Sequence, residues 1–151
     1  MTAKNLVLIV FSSVLLSACT HGAFYSEYRS VPISGWDMDS VLTFSVPVTD
    51  PQQPVDVLLN IRHTDAYAYQ NMWLFIGQNG LSQDTIELYL ADDRGQWLGD
   101  GNSIFNMPVL YQENILLTDS VYTLTIQQGM REQSLKGVSD IGVEIRRHGE
   151  E

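Results

Sequence analysis

From residue 41 onward the chain is built on alternation. In Val41 to Val48, Leu42, Phe44, Val46 and Val48 share one side and Thr43 and Ser45 the other, the period-two pattern of a strand with one buried face. Val55, Val57, Leu59 and Ile61 alternate in the same way with Asp56, Leu58, Asn60 and Arg62, as do Ile86, Leu88 and Leu90 with Thr85, Glu87 and Tyr89. Tyr122, Leu124 and Ile126 form an inward set against Thr123 and Thr125, and Ile141, Val143 and Ile145 another against Gly142, Glu144 and Arg146. Met72 to Ile76 is apolar throughout, which predicts a central strand buried on both faces. Asn79-Gly80 and Asp92-Asp93-Arg94-Gly95 carry turn chemistry, the second closing a tight hairpin into Gln96-Trp97-Leu98. Gly99 to Asn106 reads as a loop, Val109 to Leu117 as one strand or two short ones, and Ser134 to Gly137 as at most a turn of helix. Seven or eight short strands, with no sustained 3.6-residue period, predict an all-β fold, an antiparallel β-sandwich of jelly-roll or immunoglobulin-like kind. The Cys…Trp…Cys mark of immunoglobulin domains is missing, so a jelly-roll-like sandwich is the expectation.

The N-terminus follows a different rule. Lys4 precedes an apolar run from Leu6 to Leu16, broken only by Ser12 and Ser13. That run is too short to span a bilayer and is flanked like the h-region of a secretion signal. Leu16-Ser17-Ala18-Cys19 then matches a bacterial lipobox, in which small residues admit a peptidase and the cysteine thiol takes a diacylglycerol before the new amine is acylated. Several acyl chains, at ~0.8 kcal/mol per buried CH2, make a stable anchor where one is marginal. The expected layout is a signal peptide over 1–18, a tether over 19–35, a sandwich domain over 36–148 and a tail over 149–151. Phe24, Tyr25 and Tyr28 make the tether less than fully flexible, so that part of it packs back.

Composition narrows the partners. Lys4 departs with the leader, leaving seven basic residues against eighteen acidic ones, a formal charge of −11. Such a charge repels nucleic-acid phosphates and anionic headgroups, which argues against nucleic acid and against a membrane-surface role beyond the lipid itself. Cys19 is the one cysteine, so the exported domain has no disulfide and depends on packing.

The residues offer little chemistry. His21, His63 and His148 stand at no metal-ligand spacing, and neither a G-x-S-x-G elbow nor a free thiol is present. Asp37 with Asp39, and Asp92 with Asp93, suggest calcium or a carboxylate pair, but a solvated approach to a strand and a hairpin turn explain them better. No catalytic residue, metal site or cofactor is expected apart from the lipid on Cys19. The unusual stretch is Arg62 to Phe75, with Tyr67, Tyr69, Asn71 and Trp73. Its aromatic residues, with Trp97 and Trp36, are types that stack on sugar rings; equally they suit a cover over the sandwich edge. Arg62, Asn71 and Arg131 suit either ligand contacts or buried polar ties between loops and strands.

The order of motifs resembles the GldH family of gliding-motility lipoproteins from the Bacteroidetes. The resemblance rests on Trp36, Leu59-Asn60-Ile61-Arg62, Tyr67-x-Tyr69-x-Asn71-x-Trp73-Leu74, Asp84-Thr85, Leu90-Ala91 and the run Gly95 to Gly101. It closes with Tyr122, Gln128-x-Met130-Arg131, Leu135-x-Gly137-Val138 and Asp140-Ile141-Gly142. Ser120 stands where the family pattern has Gly. The resemblance implies a non-catalytic accessory lipoprotein of the gliding and type IX secretion machinery, working through protein contacts. Arg62, Tyr67, Tyr69, Asn71, Trp73, Trp97, Met130 and Arg131 are then the candidate interaction residues. Thr20 in place of Asp, and no acidic signal in Thr20-His21-Gly22-Ala23, imply the periplasmic face of the outer membrane. The alternative is a carbohydrate-binding outer-membrane lipoprotein with an aromatic stacking platform.

Overall fold

The computed structural model describes residues 24–81 and 83–150; the expected signal peptide, the lipobox with Cys19, and His21 lie outside the described residues. The strands are β1 (Tyr25–Ser30), β2 (Trp36–Asp37), β3 (Leu42–Pro47), β4 (Val55–His63), β5 (Asn71–Gln78), β6 (Asp84–Tyr89), β7 (Asp100–Gly101), β8 (Phe105–Ile115), β9 (Val121–Gln128), β10 (Ser134–Leu135) and β11 (Val138–Arg147). Setting aside the two-residue strands, the antiparallel pairs nest one inside another: β1 with β11, β3 with β9, β4 with β8, β5 with β6. The resulting sheets, β1-β11-β4-β8-β7 and β3-β9-β5-β6, are those of a jelly roll. The all-β sandwich expected from the alternation is the fold.

Alternation puts the core between the sheets. Val57, Leu59 and Ile61 of β4 and Ile141, Val143 and Ile145 of β11 face Phe44, Val46, Met72, Leu74, Ile76, Leu124 and Ile126 of the other sheet, all fully buried. At one end, β2 pairs β10 with Trp36 opposite Leu135, both buried, and Trp36 Nε1 donates to the Ser40 carbonyl at 3.0 Å. Asn79 and Gly80 take positive φ, 45° and 71°, in the turn after β5, as their dipeptide predicts.

Several expectations change. The chain assigned to the tether contains β1, which pairs with β11 in register from Tyr25↔Ile145 to Ser30↔Asp140. It lacks alternation because its inward positions lie at a sheet edge. Tyr25 packs on the core there, Glu27 reaches solvent, and the Arg29 guanidinium lies 5.1 Å from the Phe44 ring centre. The β4 strand is covered on both faces, Leu58 and Asn60 included, because side chains of the flanking β11 and β8 close over its outer face, Glu144 and Asn106 reaching the Asn60 amide at 3.4 and 3.5 Å. Met72 to Ile76 is central in its sheet but buried on one face only: Trp73 is 38% exposed and Phe75 half-buried. Residues 109–115 belong to one long strand, β8, bulged opposite Val55 to Leu58, and Leu116 and Leu117 follow its end. Ser134 and Leu135 form β10 in place of a helical turn.

Candidate functional site: a groove on the outer face of the four-stranded sheet

A groove of about 760 Å³ lies over β5, within the size range of ligand-binding clefts. Its apolar side is formed by Trp73, Phe75, Met38 and Met130, and its polar rim by Asn71, Gln127, Asp39 and Arg131. The strand period explains the floor. Met72, Leu74 and Ile76 point into the sandwich, so Trp73 and Phe75 must point out. One wall is the loop that leaves β9. The Gly129 N–H donates to the Trp73 carbonyl at 2.8 Å, and the Trp73 N–H points at the Met130 sulfur at 3.1 Å, so the loop continues where the β9 ladder stops. A side chain at 129 would press on Phe75 and Trp73, with a Phe75 ring carbon 3.2 Å and the Trp73 Cβ 3.3 Å from its Cβ.

Gln128 holds that loop in shape. It is 2% exposed; its Nε2 donates to the carbonyls of Glu132 at 2.6 Å and Trp36 at 3.4 Å, and its Oε1 accepts from the Met130 N–H at 2.8 Å. Arg131 follows in left-handed backbone, φ 51°, which turns its side chain to the rim. Among the described residues no carboxylate pairs with Arg131. Asn71 Nδ2 donates to Glu87 at 2.6 Å and Gln127 Nε2 to the Met38 carbonyl at 2.6 Å, so both rim amides are held in place.

Of the eight residues singled out in the sequence, the groove therefore gathers Asn71, Trp73, Met130 and Arg131. Tyr67 and Trp97 lie in an aromatic plug at the end of the sandwich. There His63, fully buried, meets the Trp97 ring edge-on at 4.5 Å and stacks on Phe105 at 5.5 Å. Tyr67 is buried too and donates to the Asn71 carbonyl at 2.7 Å; burial, and then Tyr69 beside it, push its phenol well above the usual range. Tyr67 is packed closely because residue 137 is glycine: at φ 85°, a Cβ there would overlap the Tyr67 backbone. Tyr69 stays accessible; its hydroxyl donates to the Glu132 carboxylate, which, with some burial, raises its pKa. Arg62 is elsewhere, on the outer face of the five-stranded sheet above Tyr28. The sequence reading passes over Phe75, Met38 and Gln127, although the outward parity of Phe75 with Trp73 is visible in β5.

The acidic pairs serve the backbone. Asp37 Oδ1 accepts from the Asp39 N–H at 2.8 Å, and Asp92 Oδ1 from the N–H groups of Arg94 and Gln96 at 2.9 and 2.8 Å. Among the described residues no cluster of His, Cys, Asp and Glu suits a metal ion.

Residues 23–145 match the profile of the GldH lipoprotein family. The chain belongs to that family. Within it, a gliding motility lipoprotein GldH homolog from Christiangramia forsetii is 30% identical over 97% of both chains. The gliding motility lipoprotein GldH of Flavobacterium johnsoniae is 29% identical, covering 96% of this chain and 98% of its own. Among solved structures, a family 35 carbohydrate-binding module from Clostridium thermocellum is similar at a TM-score of 0.44 and 13% identity, covering 83% of this chain and 90% of that one. As a GldH-family lipoprotein, the chain is held to a membrane by lipid.

Proposed function

We propose that this GldH-family chain is a non-catalytic accessory lipoprotein of gliding or type IX secretion-associated envelope machinery, which binds a protein partner through the groove over β5. The anchor is acylated Cys19, and the location is the periplasmic face of the outer membrane. The carrying observation is the groove: Trp73 and Phe75 face outward between the Met130 loop and Met38, and Trp73 keeps 38% of its surface exposed. Apolar residues on a rigid strand, ringed by polar groups already fixed by hydrogen bonds, are the make-up of a contact centre with its rim. Arg131, without a carboxylate partner among the described residues, adds a cation that suits an acidic or C-terminal group on the partner.

The test is light crosslinking in membranes followed by affinity purification and mass spectrometry. Trp73→Ser and Arg131→Gly are compared with the parent and with Cys19→Ala. Arg131→Gly suits the left-handed backbone, so it deletes the guanidinium without straining the loop. Envelope components captured by the parent and lost from both groove variants, at unchanged melting temperature, support the reading. Equal capture by Trp73→Ser removes the groove from it. The exposed Trp73 ring also suits a sugar, and glycan-array binding abolished in Trp73→Ser would replace the protein partner with a carbohydrate.

A further inference from the structure

The start of β1 sets how far the domain can stand from its membrane. Four residues separate Cys19 from Phe24, and Tyr25 is already paired with Ile145. Whatever conformation they take, the Cα of Phe24 lies within about 18 Å of that of Cys19, at ~3.6 Å per extended residue. Interfacial zones are about 5–8 Å thick on each side of the hydrocarbon. The end of the sandwich where β1 begins is therefore kept beside the headgroups.

That end is composed of loops from both sheets. Phe24 lines one small hollow with Val48, Asp50, Gln53 and Leu117. The 48 and 120 positions are joined by Val48 N–H to the Ser120 carbonyl at 3.0 Å, and the 79–81 turn is joined to Asp119 through Asn79 Nδ2 at 2.9 Å. Three of these segments end in exposed apolar side chains: Phe24 is 44% exposed, Leu81 73% and Leu116 54%. Most of the acids here are engaged, while Glu113 stays exposed near the end of β8. Asp50 caps the Gln52 N–H, Asp119 accepts from Asn79, Asp56 faces His148 and Glu150 faces Arg147. The opposite end, with His63 and Phe105, lies a full strand away, about 26 Å for the eight steps from Val55 to His63 at ~3.3 Å each.

We infer that Phe24, Leu81 and Leu116 form a membrane-apposed rim that dips into the headgroup region of a zwitterionic bilayer, standing the sandwich on its β1 end. Isolated apolar tips on separate loops gain by entering the interface, while the chain's negative charge excludes an anionic surface and leaves a zwitterionic one. The β5 groove then opens parallel to the membrane, toward a partner lying alongside. The inference rests on acylation of Cys19.

The test uses the lipidated full-length chain with one added cysteine, Leu116→Cys or Leu81→Cys, carrying an environment-sensitive fluorophore in phosphatidylcholine vesicles that contain doxyl-labelled lipid. Ile104→Cys, at the far end, and Leu110→Cys, on a sheet face, are the controls; all four positions are exposed, so the fold tolerates the change. The expected result is several-fold stronger lipid-side quenching at 116 and 81 than at 104 and 110. Equal quenching at all four positions, in protein that floats with the vesicles, overturns the rim. Parent protein that fails to float, or that takes up the thiol label at Cys19, overturns the acylation reading first and the rim with it.

Discussion

The guanidinium of Arg62 stands 3.9 Å from the centre of the Tyr28 ring, and the ring reaches it by lying across Gly142. Tyr28 pairs with Gly142 on β11, and β11 pairs with β4, so the ring crosses one strand to meet the next. A Cβ at 142 would come within 2.5 Å of Tyr28 Cε1. Gly142→Ala is expected to cost about 1–3 kcal/mol through overpacking. In a Tyr28→Ala background that cost disappears, because the two positions are coupled through the ring. Urea unfolding of the four proteins checks this; an undiminished cost in the double variant would mean that the ring is not the obstacle.

His63 makes stability depend on pH. Its Nδ1 donates to the Thr64 carbonyl at 3.1 Å, and its Nε2 faces the aromatic plug with no partner among the described residues. Burial holds its pKa below the ordinary 6.5, with the Thr64 carbonyl pulling weakly the other way. The unfolded chain therefore takes up a proton first. Stability is full above pH 6.5, falls as pH drops below it, and levels off once the folded ring itself titrates. Urea midpoints at about pH 7.5 and about pH 5 should differ, and His63→Phe should shrink the difference. An unchanged difference in His63→Phe would assign the effect to other groups.

Alternation made the inner faces of β3, β4, β6, β9 and β11 legible, because a strand facing the core on one side writes that burial directly into residue parity. It failed where parity carries no burial signal. In β5 both faces are apolar, so Met72 to Ile76 reads as doubly buried, although Trp73 and Phe75 face outward over the groove. In β1 the edge position lets Glu27 and Arg29 occupy inward sites, and a true strand reads as tether. The groove loop was visible only as the motif Gln128-x-Met130-Arg131. That Gln128 is its buried keystone depends on carbonyls at 36 and 132, which no local pattern reveals.

Gln128 is accordingly the position where groove shape and stability meet. Gln128→Ala leaves the part-buried Met130 N–H without its partner, at a cost of about 1–3 kcal/mol, and frees the carbonyl of exposed Glu132. The loop that carries Met130 and Arg131 should then loosen over Trp73. Two readouts are expected to move together: a lower unfolding midpoint, and faster hydrogen exchange at Gly129, whose N–H donates to the Trp73 carbonyl. A lower midpoint without faster exchange at Gly129 would mean that Gln128 supports the core and not the groove wall.

Truncation distinguishes β1 as a strand from β1 as a tether. A soluble chain beginning at Phe24 keeps the whole β1 ladder; one beginning at Pro32 loses it, along with Tyr25 and Val31 from the core. At ~1 kcal/mol for each lost ladder hydrogen bond, the shorter chain should lose several kcal/mol of a total near 5–15 kcal/mol. It also bares the β11 edge, a template for pairing with a second molecule. The expectation is a large fall in unfolding midpoint with concentration-dependent association, both read by urea titration and light scattering. Should the shorter chain unfold at the same midpoint and stay monomeric, β1 would be an appendage. The stretch between Cys19 and the fold would then lengthen to reach residue 35, and with a leash of that length the sandwich would no longer be confined beside the headgroups.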